Sequence, residues 1–144
     1  MRKAMVPRLS MLIVLSMLGI GATVYAHCQI PCGIYDDPAR VTAMAEHITT
    51  IEKSIKQING PGISSNQSVR WVMNKEKHAD ELANIVTYYF MAQRIKPSAQ
   101  VGSADYTKYI KELTLLHQLL QTSMKAKQTS DLAQVTKLKA LLHD

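Results

Sequence analysis

The 144-residue chain has two cysteines, one tryptophan and one phenylalanine. Two cysteines are too few for a sulfur-rich tetrahedral zinc or iron site unless two further side chains join them. Alternation of apolar and polar residues with period two is missing over any useful length, which excludes a sheet as the main architecture. After the first 26 residues there is no further transmembrane candidate, internal repeat or low-complexity tract. Strong charge is missing too. Of 17 basic residues set against 11 acidic ones, Arg2, Lys3 and Arg8 fall in the first 26, so the formal charge drops from +6 to +3 over the remaining 118. That is a solvated, mildly basic surface, not a nucleic-acid footprint, although it slightly favours a small anion.

What is present begins with a leader. Residues 1–26 carry Arg2, Lys3 and Arg8, an apolar stretch from Leu9 to Ala22, and then Val24-Tyr25-Ala26. This is the three-part layout of a secretory signal peptide, and cleavage after Ala26 makes His27 the first residue of an exported protein. The competing reading is a membrane anchor, since Leu9 to Tyr25 is uncharged over 17 residues. The short apolar region and the V-x-A ending favour cleavage, which leaves no stable membrane association.

Residues 37–144 read as four amphipathic helices. Asp37 is placed as N-cap with Pro38 at the first helical position. Val41, Met44, Ile48, Ile51, Ile55 and Ile58 then form one seam, and Asn59 to Gly62 stop the helix. A second helix is predicted from about Asn66 to Ile95, with Val69, Val72, Ala79, Leu82, Ala83, Val86, Tyr89 and Phe90 on its apolar face. A third spans about Asp105 to Lys127 through Tyr106, Tyr109, Ile110, Leu113, Leu116, Leu120 and Met124. The fourth starts at Ser130 or Asp131 and turns Val135, Leu138 and Leu142 inward. Short connections make this an all-α, antiparallel up-and-down four-helix bundle. Leu115, Leu119 and Leu141 fall off the stripes and are candidates for burial on oligomerisation.

Residues 27–36 are too short for an element and too rich in cysteine for an ordinary tail. Freed from Ala26, His27 offers an imidazole and an α-amine whose ordinary pKa of about 7.7 to 8.0 permits deprotonation when a metal competes. Cys28 adds a backbone nitrogen and a thiolate, and Cys32, between Pro31 and Gly33 in a turn-forming context, returns a second thiolate. Amine, amide nitrogen and two thiolates fill a plane around one ion, as Ni(II) or Cu(II) prefers. The bland alternative is a small disulfide ring between the two cysteines.

The stretch "HCQIPCGIY" resembles the nickel hook of the nickel-containing superoxide dismutases, H-C-x-x-P-C-G-x-Y, at His27, Cys28, Pro31, Cys32, Gly33 and Tyr35. The resemblance implies a mononuclear nickel ion held by the amine and imidazole of His27, the backbone nitrogen and thiolate of Cys28 and the thiolate of Cys32. It also implies disproportionation of superoxide anion to dioxygen and hydrogen peroxide, Ni(II)/Ni(III) cycling, and a homohexamer of four-helix bundles. Tyr35 would stand over the open face of the metal, and a second tyrosine would line the approach. Within "TYYF" the better match for that second residue is Tyr89, with Tyr88 the alternative.

The chain departs from the family pattern at Gln29, where relatives carry aspartate. It departs also at Thr42 and His78, near the places of a glutamate and an arginine that hold the axial imidazole. These differences bear on the tuning of that ligand, not on the metal donors themselves. His47, His78, His117 and His143 occur singly on helices and receive no role, and Met44, Met73, Met91 and Met124 read as core filler. The alternative function is an exported helical protein that binds nickel or copper without turnover.

Overall fold

The computed structural model describes residues 30–98 and 100–143; the predicted leader, His27 and Cys28 lie outside the described residues. Four helices follow in order: α1 (Asp37–Ile58), α2 (Ser65–Asn84), α3 (Ala104–Gln128) and α4 (Leu132–His143). Between α2 and α3, without a break in the rod, α2 passes into a π-helix, π1 (Ile85–Arg94). No strand occurs among the described residues. Helix α1 packs on α2 and α4, and α3 packs on the same two, so the neighbours close a ring as in an up-and-down bundle. No described helix is long and apolar enough to cross a membrane.

Three helix starts have a side-chain cap as their local cause. The Asp36 carboxylate accepts from the Ala39 amide at 3.0 Å, Ser64 Oγ accepts from Gln67, and Ser103 Oγ accepts from Tyr106. These bonds satisfy amides that have no intrahelical partner. The predicted cap at Asp37 is thus one residue late. Its carboxylate is engaged by side chains of π1 described below, and Asp36 takes the capping position.

The core joins Met44, Ile48, Ile51 and Ile55 of α1 to Ala79, Leu82 and Val86 of the second rod, Leu116, Leu119 and Ala126 of α3, and Val135, Leu138 and Leu141 of α4. Several stripe assignments shift. Val41, Val69 and Val72 are exposed at 40%, 58% and 39%, as are Ile110 and Met124 on α3. Leu119 and Leu141, expected on an oligomer surface, are instead buried within the chain itself. On α3 the inward face rotates to Leu116, Leu119, Thr122, Ser123 and Ala126, because Ser123 donates its hydroxyl to the Ala79 carbonyl at 2.8 Å and lets the rods approach.

At the end of the bundle where α3 finishes, Lys75 is buried and its Nζ donates to the carbonyls of Ala126 (2.8 Å), Lys127 and Thr129 (3.0 Å). The last carbonyls of a helix lack intrahelical donors and carry partial negative charge, so one lysine satisfies several of them at once. Glu76 lies 3.2 Å from the same ammonium and completes the charge balance.

Candidate metal hook and its seat

Residues 30–36 form a turn ahead of α1. The Ile30–Pro31 peptide is cis, and the Ile34 amide donates to the Pro31 carbonyl at 2.9 Å, closing a four-residue turn with Cys32 and Gly33 at its centre. Both central residues have positive φ, 20° at Cys32 and 87° at Gly33, the pattern of a primed turn. Glycine is the residue that adopts the second of these without steric penalty. Cys32 is thereby carried on an exposed tip, where its sulfur is disulfide-bonded.

Beneath the turn lies a cluster built by π1 and the start of α1. Tyr35 meets the edge of Tyr89 with ring centroids 5.8 Å apart and planes at 85°, a favourable arrangement of aromatic quadrupoles. Tyr89 is buried, while Tyr35 is 38% exposed. Tyr88 is 50% exposed, and the structure does not bring its ring to Tyr35. The Tyr89 hydroxyl donates to Asp37 Oδ1 at 2.6 Å. Arg94 grips the same carboxylate, Nε to Oδ1 at 2.8 Å and Nη2 to Oδ2 at 2.7 Å, and its guanidinium lies 4.6 Å from the centre of the Tyr35 ring. Arg40 approaches the Tyr89 ring at 5.2 Å.

The electrostatics follow from these contacts. The bonds from Arg94 and then Tyr89 hold the Asp37 carboxyl below its usual range, against a smaller opposing effect of burial. Burial first, and the bond to Asp37 second, push the Tyr89 phenol up, so it is protonated at neutral pH. Gln93 is buried; its Nε2 donates to the Tyr88 carbonyl at 2.7 Å and reaches the Ile30 carbonyl at 3.4 Å. Its Oε1 has no partner among the described residues. An open cleft of about 590 Å³ adjoins Asp37 and Arg94 but is lined by neither tyrosine of the pair and not by Cys32.

Sequence reasoning missed several participants. Gln93 and Arg94 were not singled out, because "QR" near the end of the second helix lies far from the hook in sequence and is no local sign of a site. His47 and His78 do not stand alone: their Nδ1 atoms are 2.8 Å apart across α1 and α2. Thr42 is exposed on α1. Among the described residues no three His, Cys, Asp or Glu side chains are grouped to hold a metal ion, so the histidine pair is not a complete metal site.

The fit to a metal rests on the hook's donors. Cys32 stands at an exposed tip of a tight turn, and a thiolate there is a soft donor of the kind that nitrogen–sulfur nickel or copper sites use. The residue fits that role once reduced, because a disulfide sulfur is not a thiolate ligand. His27 and Cys28 lie outside the described residues.

Comparison with known proteins bears on the family. A family model described as nickel-containing superoxide dismutase matches residues 22–144. A curated relative, a nickel superoxide dismutase of Streptomyces coelicolor, is 31% identical over 106 residues, covering 72% of this chain and 67% of the relative. No solved structure gives a significant match.

Proposed function

Because the chain belongs to the nickel-containing superoxide dismutases, we propose that its working form begins at His27 and holds nickel through His27, Cys28 and Cys32. The activity is that of the family: superoxide is disproportionated to dioxygen and hydrogen peroxide by an oxidoreductase with a nickel cofactor. Two superoxide anions and two protons are consumed for each pair of products. Nickel, when bound, supplies a Ni(II)/Ni(III) one-electron couple. The observation that carries the residue assignment is the meeting of Tyr35, from the turn that bears Cys32, with Tyr89 from the bundle.

In this reading the protein's own groups control access and protons. Tyr35 is half-buried, and its hydroxyl has no hydrogen-bond partner among the described residues, so it is free to order water or a small anion. Tyr89 has committed its proton to Asp37 and serves as a fixed wall instead. The net charge of +3 without the leader favours approach of an anion.

Export and assembly belong to the same reading. The leader directs the protein to the periplasm or exterior, and cleavage after Ala26 releases the amine ligand. There the thiols of Cys28 and Cys32 must stay reduced, or be reduced, before they meet nickel. Val69, Val72 and Met73, spaced for one face of α2 and all exposed, are the surface that a homohexamer would cover.

The deciding experiment is mass determination of the mature amino terminus, coupled to metal analysis and a superoxide consumption assay. The expected result is a chain starting at His27 with one nickel per subunit and turnover. A different first residue in an active protein removes the amine ligand and overturns the assignment. Stoichiometric nickel without turnover would reduce the molecule to a metal-binding protein.

A further inference from the structure

Residues of π1 converge on the hook segment in a way that the metal donors do not require. From Ile85 the rod changes to the wider i to i+5 spacing, and the Ile95 amide closes it on the Phe90 carbonyl at 2.9 Å. π-turns inside α-helices are rare and concentrate at functional sites. The wider turn puts positions four and five residues apart on one face, and Tyr89, Gln93 and Arg94 have that spacing. Each lands on the hook segment or on the first residue of α1: Tyr89 on Tyr35 and Asp37, Gln93 on Ile30, Arg94 on Asp37 and Tyr35.

We propose that Arg94 is a positioning residue for superoxide turnover, acting through Asp37 and the Tyr35 ring to hold the two tyrosines edge to face beneath the hook. The inference rests on the dismutase reading above. Energy separates this role from a merely stabilising one. The Arg94 and Asp37 side chains are 35% and 40% exposed, and a pair this open, like an exposed cation over a ring, contributes little to stability. Such contacts do little for a bundle with a continuous four-helix core. What they do is geometric. Asp37 Oδ1 accepts from both Arg94 and Tyr89, so the guanidinium fixes the carboxylate that fixes the Tyr89 phenol. The same guanidinium covers the Tyr35 ring, leaving that side chain little freedom to swing out.

Two variants test this, Arg94→Gln and Arg94→Lys, in the intact metal-free chain and in the processed nickel-loaded protein. In the metal-free chain, aromatic NMR contacts between the Tyr35 and Tyr89 rings should be lost in Arg94→Gln and partly restored in Arg94→Lys, with helical circular dichroism unchanged. In the loaded protein, nickel content should be retained while kcat falls about ten- to a hundredfold, the range expected for a small misplacement. The salt dependence of the rate should persist.

Ring contacts and turnover both retained in Arg94→Gln would overturn the proposal. So would lost turnover with intact ring contacts and a vanished salt dependence, which would make Arg94 an electrostatic guide. If Arg94→Gln does not fold, Asp37→Asn offers the same comparison, because it keeps the side-chain shape and weakens the grip of both partners. A wild-type protein with the ring contacts but no superoxide turnover would defeat the dismutase reading and leave the positional result standing.

Discussion

Two cations on one helical rod tie opposite parts of this bundle, and they differ in kind. Lys75 is 3% exposed and spends its ammonium on the carbonyls that end α3. Arg94, nineteen positions on and about 28 Å along an ideal helix, is about one-third exposed and holds a carboxylate shared with a tyrosine. The first is a buried charge whose loss leaves several acceptors unsatisfied, so it belongs to stability. The second is an open pair with a small energetic weight, so its value lies in where it puts Tyr35 and Tyr89. The fold thus separates a structural end from a chemical end, and substitutions at each should fail in different assays.

The largest effect is expected at the chemical end. Cys32→Ser removes a proposed metal donor and should abolish nickel binding and superoxide turnover together, while the melting temperature of the bundle changes little. Metal analysis, a consumption assay and thermal unfolding on one preparation check all three; retained nickel in that variant would sink the donor assignment. Lys75→Met is the converse. It should cost about 2–4 kcal/mol, from the buried carbonyls left without a donor, and lower the melting temperature by about 10 °C. At a temperature where the variant remains folded, its nickel content should match wild type. If Lys75→Met lost nickel in the folded state, the two ends would not be separable.

A smaller effect sharpens the chemical end alone. Tyr35→Phe deletes only a hydroxyl that has no partner among the described residues, and it keeps the ring that meets Tyr89 and Arg94. Nickel content and ring contacts should be unchanged, and turnover should drop by about tenfold or less through altered ordering of water and anion. Loss of nickel from this variant would contradict a gating role.

Much of the hydrophobic core was legible in the sequence, and less of the chemical end. Met44, Ile48, Ile51 and Ile55 follow helical periodicity, and they are the core of α1. Periodicity failed where a polar group sets the rotation: Ser123 bonding to Ala79 turns α3 so that Leu119 packs inward and Met124 faces out. It failed again at π1, because a pattern scored at 3.6 residues per turn does not register a local change to wider spacing. The hook motif pointed to Tyr35, and the family resemblance through "TYYF" to Tyr89 over Tyr88, yet Arg94, Gln93 and the His47–His78 contact had no local signature. Those are pairings across 31 to 63 positions of sequence, and only the closed bundle creates them.

The histidine pair supplies the smallest prediction, and it asks whether the two ends communicate. His47 lies on α1 and His78 on α2, between Lys75 and Arg94 on the second rod. Burial first, then the charge of His78, lower the His47 pKa from its ordinary 6.5, and Glu81 and Glu46 oppose the shift. A histidine with a lowered folded pKa binds its proton more weakly in the native state than in the unfolded chain. Below about pH 6.5 the unfolded state therefore holds more protons, and stability falls as pH falls through the folded value. The bond itself points the same way, since two Nδ1 atoms at 2.8 Å need one donor and one acceptor, and a doubly protonated pair offers two donors. Melting temperatures of wild type and His47→Gln should converge or cross between neutral pH and about pH 5, with the wild type losing the more. An identical pH slope in both proteins would remove His47 from the account. If the Tyr35–Tyr89 ring contacts persist through the same titration, the joint between α1 and α2 can loosen without disturbing the hook's seat, and the two ends of the bundle are independent.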